Sequence, residues 1–558
     1  MTSQKIDNEI NLALDISLEE LEKTRDLKVG YEPKEKKWQL IIKYEGSLAK
    51  VRQLSDFVVE LLGGYAVITI AEDLINVVSD LEEVIYIEKP KRLNFQIDNG
   101  VRISCINPVK REPFSLSGEG IILAFLDSGI DYGHEAFINE SGTTRILELW
   151  DQTLDRIFTR DDINRALQAN MEQRGDIVPS RDVSGHGTAV ASIAAAVAPG
   201  SDIIAVKLGN PMSDSFPRTS ELMMALDYVV RRGLYYGRPV AVNISIGNNY
   251  GSHDGTSLLA TYIDTVAAMG RMVIAVGTGN EGASSTHTGG VLVDDSTDVV
   301  ELSVGNYEAS FNIQLWKSYA DNFQVSIKAP SGAETGYIRQ ELGVGKYNID
   351  STDIYVYFGE PSPYSPYQEI YIELIPGERY IESGTWQLIL TPIRIVDGQY
   401  DMWLPVERTS KDTRFLRPTP DTTLTVPSTA GSVISVGAYD PYTDAYADFS
   451  GRGYTRVIGE VKPDIVTPGV NIVAASPSYG LANNNYIRQT GTSFATPFVT
   501  GSAALMMEWG IIKGNDPYLY GEKVKAYLIR GARQLPGFDR FPNPQVGWGA
   551  LCLRDSFA

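Results

Sequence analysis

Two cysteines, Cys105 and Cys552, are too few in 558 residues for a thiolate metal cluster or a disulfide framework. They need not pair: reduced thiols are the expectation, and a bridge closing nearly the whole chain is the alternative. Basic residues are scarce relative to acidic ones, 49 Lys and Arg against 70 Asp and Glu, and the net charge of −21 excludes nucleic acid and anionic membrane as partners. Long apolar runs are also missing. The best candidates, such as Ala189 to Ala198, are too short and too rich in alanine to cross a bilayer. The opening Met1-Thr2-Ser3-Gln4-Lys5-Ile6-Asp7 is not followed by the apolar core of a Sec signal, so cytoplasmic synthesis of a soluble protein is expected. What remains is an ordinary globular composition, 43% hydrophobic, with length for two to four domains.

The first hundred residues read as a small α+β domain. Ser17-Leu18-Glu19-Glu20 has capping-box spacing and predicts a helix to about Leu27. Strands are expected at Trp38 to Tyr44, Tyr65 to Ile70 and Val84 to Glu88, with an amphipathic helix from Ser47 to Leu62 and a shorter one around Asp73 to Asp80. That alternation, with one extra hairpin strand, predicts a ferredoxin-like sandwich. Glu88 to Gln96 then leaves as an extended strap, since Pro90 disfavours helix before it.

From Gly120 the pattern becomes that of a doubly wound α/β domain. The apolar run Gly120 to Leu126 reads as a central parallel strand and ends in Asp127, where open sheets gather ligands. Asp131, further from the strand end, is assigned a turn-capping role. Ser184-Gly185-His186-Gly187-Thr188 precedes a small-residue helix, so His186 is presented between two glycines. His134, His253 and His287 lack such settings and are expected to face solvent or to bond locally. Strands end in Ser245-Ile246-Gly247 and in Gly277-Thr278-Gly279-Asn280, which places the Asn280 amide in the same space. Gly491-Thr492-Ser493-Phe494-Ala495-Thr496-Pro497 reads as a serine at a helix start, where free amides and the helix dipole favour a developing oxyanion.

These segments, with Asp127, His186, Asn280 and Ser493 in that order, resemble the subtilisin-like serine proteases, the subtilases. The resemblance implies Ser493 as nucleophile, His186 as general base and then acid, Asp127 as orienting carboxylate, and Asn280 with the Ser493 amide as oxyanion hole. It also implies a first specificity pocket lined by Ser245, Ile246, Gly247, Gly277 and Thr278, and a substrate-pairing edge beginning at Leu208 and Gly209. The leading domain is similar to the family's propeptide, an intramolecular chaperone cut by its own active site, and the strap ending at Phe95 and Gln96 is the expected self-cleavage region. The chemistry requires no cofactor. Calcium is common in the family, but no ligand set is identifiable among these acidic residues and no metal site is assigned.

Asn280 and Ser493 are separated by far more chain than a crossover needs. Phe311 to Trp316, Phe323 to Ile327, Ile354 to Phe358, Glu369 to Leu374, Trp386 to Leu390 and Tyr400 to Leu404 read as strands of an inserted β-sandwich, a jelly roll. The expected organisation is a propeptide over 1–96, a subtilase domain over 97–285 and 421–558, and the insertion over 286–420. A propeptide-bearing chain with this insertion resembles the Csp germination proteases of clostridial spores. That resemblance implies a protein substrate, a spore cortex-hydrolase zymogen, and packaging in the spore, with the chain's own propeptide as intramolecular partner. The competing reading is a regulatory or scaffolding protein of subtilase fold whose propeptide stays in the cleft.

Overall fold

The computed structural model describes residues 5–6, 8–15, 18, 21, 30–61, 64–88, 97–209, 217–338, 340, 343–361, 365–406, 408, 410–456, 460–478 and 485–557. Two compact units divide the chain, Met1–Phe95 and Gln96–Ala558.

In the leading unit, Lys37–Tyr44 pairs antiparallel with Tyr65–Ala71 on one side and Val84–Glu88 on the other, and Phe57–Leu61 pairs with Tyr65–Ala71. Trp38, Leu40 and Ile42 alternate into one core with Ala66, Ile68 and Ile70. The helix expected from Ser47 to Leu62 is corrected: it ends at Leu54, and Phe57–Leu61 is a strand. Ser55-Asp56 interrupts the helical period, and the β-branched pair Val58-Val59 packs better on a pleated surface. The succession is β-α-β-β-α-β, preceded by a helix at Asn8–Asp15 that capping signals did not indicate. The helix expected from Ser17 and the strap's residues 89–96, including Phe95 and Gln96, lie largely or wholly outside the described residues.

The second unit is built on a sheet of nine strands. Ile122–Asp127 is central, parallel to Asp202–Lys207 on one side and Val240–Ile244 on the other, with Met272–Gly277 and Ile434–Asp440 continuing the second side. Period-two alternation splits the central strand between two cores. Leu123 and Phe125 face helices His186–Val197 and Thr492–Met507, while Ile122, Ala124 and Leu126 face Thr219–Tyr236 and Leu258–Ala267. The chain reverses its direction of sheet growth at Ile122–Asp127, so a crevice opens at the carboxyl end of that strand, beside Asp127.

Between Gly277 and Ile434 stand two antiparallel sheets, of six and four strands. Leu315, Ile354, Val356, Ile370 and Ile372 of the first share one core with Leu302, Val325, Ile327, Leu388 and Leu390 of the second. Strands His287–Val291 and Gly343–Ile349, both carrying glycines, had no strand signal in the sequence.

One expectation is overturned, and a second is narrowed to one of its two alternatives. Cys105 and Cys552 are disulfide-bonded, with Cα atoms 4.8 Å apart, because the two ends of this unit run side by side: Leu553 N–H donates to Ser104 O at 2.9 Å. His134, His253 and His287 do not face solvent; all are buried at 2% exposure or less, and local bonding is what holds them. His134 Nε2 meets Asn485 O at 3.1 Å, and His253 and His287 each stack on Trp403, at 4.2 and 4.7 Å between ring centroids. Apolar surroundings leave each ring no solvent partner, so carbonyls and a carboxylate replace water.

Candidate active site

Asp127 is the last residue of its strand and His186 the first of its helix. His186 Nδ1 lies 2.7 Å from Asp127 Oδ1, which also accepts the Ser128 N–H at 2.7 Å. Asp127 is 2% exposed and its Oδ2 has no hydrogen-bond partner among the described residues, so the carboxylate is committed to the imidazole and the adjoining turn. Burial pushes the His186 pKa down, but the charge of Asp127, its hydrogen bond, and the charge of Asp182 outweigh burial and hold the ring above the ordinary histidine value. The imidazole is thus oriented from behind, with 30% of its side chain still exposed toward the crevice.

Sequence reasoning missed Asp182. Its Oδ1 accepts Gly185 N–H at 2.9 Å and Ser128 Oγ–H at 2.8 Å, and its Oδ2 accepts Thr188 N–H at 2.8 Å and Thr188 Oγ–H at 2.7 Å. One buried carboxylate therefore caps the helix that begins at His186 and ties it to the turn after Asp127. An acidic residue four positions before a helix start is the signal that could have found it. Asp131 caps its own turn through Gly133 N–H at 3.1 Å, as expected, and also accepts Ser478 N–H at 2.9 Å.

Ser493 is the second residue of helix Thr492–Met507, where a backbone N–H has no acceptor within the helix. Its hydroxyl donates to Ser245 O at 3.1 Å and so is turned to the cavity wall rather than to His186. Asn280 Oδ1 accepts Thr492 N–H at 3.0 Å and Thr492 Oγ–H at 3.2 Å. Those bonds fix the amide plane and leave Nδ2 to the cavity.

Ser245, Ile246, Gly247, Gly277, Asn280 and Ser493 all line one cavity of about 610 Å³. A second, of about 520 Å³, is lined by Asp127, His186 and Leu208 and shares Ser245 and Ile246 with the first. Two pocket expectations are corrected. Thr278 is fully buried behind the wall, its Oγ 3.3 Å from Ser450 Oγ, because the strand alternation turns it to the opposite face from its neighbours. Gly209 N–H is already donated to Gln152 Oε1 at 3.1 Å, so that amide is not open to a substrate strand. Among the described residues, no group of three or more His, Cys, Asp or Glu is arranged to hold a metal ion, and no helix is long and apolar enough to cross a membrane.

Residues 118–357 and 416–549 match the family described as the subtilase family. The chain belongs to the subtilases. That family is one of serine endopeptidases, and residues 4–91 of this subtilase match the Csp protease B prodomain. The structure is similar to that of the Clostridium perfringens CspB protease, with 37% sequence identity and a TM-score of 0.77, over 82% of this chain and 96% of that one. Among curated relatives, the minor extracellular protease Vpr of Bacillus subtilis is 24% identical over 78% of this subtilase and 51% of Vpr. The serine protease AprX of the same organism is 37% identical over 24% of this chain and 31% of its own. This subtilase therefore spans about half, or less, of the length of these curated relatives.

Proposed function

We propose that this subtilase is a serine endopeptidase that cuts itself after the leading unit and then cuts another protein. The observation that carries the reading is the Asp127–His186 contact of 2.7 Å, beside a helix-start serine and an asparagine whose amide is locked with its donor end free. In the reaction the Ser493 hydroxyl leaves the Ser245 carbonyl and gives its proton to His186 Nε2 as its oxygen attacks the scissile carbonyl. Asp127 holds the ring's other nitrogen and stabilises the imidazolium. The oxyanion is met by Asn280 Nδ2–H and the Ser493 N–H, and His186 returns its proton to the leaving amine.

The leading unit serves in this reading as a ferredoxin-like propeptide, and residues near Phe95 and Gln96 as its cleavage region. The two antiparallel sheets act as a jelly-roll brace: Asn249 Nδ2–H donates to Leu404 O at 3.2 Å and Gly251 N–H to Gln314 Oε1 at 2.8 Å, fastening the segment after Gly247 to the insertion. Similarity to the CspB protease extends the proposal to a spore cortex-hydrolase zymogen as substrate and to packaging in the spore.

A second reading, a subtilase fold acting by binding, is favoured by the orientation of Ser493 toward Ser245 O. Wild type and Ser493→Ala, compared on a denaturing gel and with a fluorophosphonate probe, separate the two. Wild type is expected to split and label, and the variant to do neither. Two identical full-length bands would remove self-cleavage, and an unlabelled wild type would remove the protease reading.

A further inference from the structure

Gly247 and Gly279 line the larger cavity together with Thr425, which arrives on the segment returning from the insertion. Thr425 fills the gap that the two glycines leave. A Cβ on Gly247 would fall 2.6 Å from Thr425 Oγ1, and one on Gly279 would fall 2.4 Å from its methyl and 2.7 Å from its Oγ1. The residue is held by its backbone: its N–H donates to Thr278 O at 2.9 Å and its carbonyl accepts Ser428 N–H at 2.8 Å. It is 4% exposed, yet its hydroxyl makes no hydrogen bond to the described residues. A hydroxyl that makes no hydrogen bond among the described residues, on a residue lining the cavity that also holds Ser493, is open to pairing with a ligand.

The cavity's charges do not compete for that role. Glu281 Oε2 already accepts Thr286 Oγ–H at 3.2 Å, and the Arg408 guanidinium lies within reach of the Glu281 charge. Arg218 is exposed to solvent.

We infer that Thr425 selects, in the residue before the cut bond, an uncharged side chain that hydrogen-bonds, an amide or a hydroxyl, and excludes aromatic rings. The selection is by pairing and by shape. A carboxamide or alcohol that enters the cavity as far as Thr425 satisfies its hydroxyl, whereas an aliphatic side chain leaves it desolvated and unpaired. The β-branched Thr425 occupies the space a flat ring would need between Gly247 and Gly279.

The inference rests on the protease reading. It is tested on the full chain with a peptide series varied only at the residue before the cut bond, using wild type, Thr425→Val and Thr425→Gly. Wild type is expected to favour Asn, Gln, Ser and Thr over Leu and Phe. Thr425→Val keeps the shape and loses the hydroxyl, and should lower kcat/KM about tenfold for the favoured peptides while raising it for the Leu peptide, which no longer leaves a hydroxyl unpaired. Thr425→Gly should admit Phe. A wild type that labels with fluorophosphonate but prefers Leu, Phe or a basic residue overturns the inference alone, as does a Thr425→Val variant that alters every peptide equally. Absence of both labelling and cleavage in wild type overturns the protease reading and this inference with it.

Discussion

Gly187 lies so close to Gly129 that a Cβ on Gly187 would stand 2.2 Å from the Gly129 carbonyl oxygen and 3.2 Å from Asp127 Cβ. The helix that begins at His186 is thereby pressed against the turn that follows Asp127. Backbone meets backbone at this point, so no side chain can move aside to admit a methyl group.

Gly187→Ala must therefore push the start of the helix away from the strand and draw His186 from Asp127. Misplacement of a reacting group by about 1 Å costs roughly a hundredfold. The expected outcome is a kcat at least that much lower with KM little changed, read from steady-state peptide cleavage. A variant with wild-type kcat would show that the helix has slack.

Asn280 performs two tasks, accepting from Thr492 and offering Nδ2 to the cavity. Asn280→Asp keeps the acceptor and removes the donor, and Asn280→Ala removes both. Each is expected to lower kcat by about a hundred- to a thousandfold. Thermal melting should separate them, Asn280→Ala being the less stable because Thr492 loses its partner.

Asp182→Ala leaves the amides of Gly185 and Thr188 without acceptors in a buried place. Each lost partner costs on the order of 1–3 kcal/mol. Urea denaturation should show a loss of that order, and labelling of Ser493 should slow because the capped helix carries His186.

The pH behaviour has two parts of different sign. In the proposed reaction His186 must be neutral to take the Ser493 proton, and its pKa is held above the ordinary value of about 6.5. Activity should rise with pH through a midpoint above that value, and Asp127→Asn, which removes the charge, should shift the midpoint down while lowering kcat about ten-thousandfold. His253 goes the other way. Burial is the main reason its pKa lies at about 4, prevailing over the carbonyls of Asn249 and Leu424, which favour a second proton. The unfolded chain binds that proton more readily, so stability from His253 is complete above about 6.5 and is lost as pH falls toward 4. Equilibrium unfolding between those limits should show the loss, and His253→Gln should flatten it.

Most of the candidate site was legible because its parts are local. A strand end at Asp127, a glycine-flanked histidine at a helix start and a serine at another are each written in five to seven consecutive residues. Thr425 acts through space and carries no such local mark, and Asp182 is marked only by standing four positions before a helix start. Thr425 matters only because two glycines from other segments stand beside it. The Phe57–Leu61 strand was read as helix because an apolar run of that length fits either period until its pairing with Tyr65–Ala71 is known. The Cys105–Cys552 bond was equally hidden, since nothing local tells that residues 447 apart come together.

Removal of that bond should be measurable. Closing a long loop stabilises a fold by about 2–5 kcal/mol. Cys105→Ser should melt lower than wild type, and reductant should lower the wild type to the same point while leaving the variant unmoved.

The bond also makes the second unit a covalent ring. Hydrolysis of one peptide bond between Cys105 and Cys552 opens the ring but frees no fragment, and the nicked molecule runs as one species until it is reduced. A cut before Cys105 obeys no such restraint. The stretch matching the prodomain, residues 4–91, lies wholly on that severable side, so the same oxidised gel tells liberation from damage.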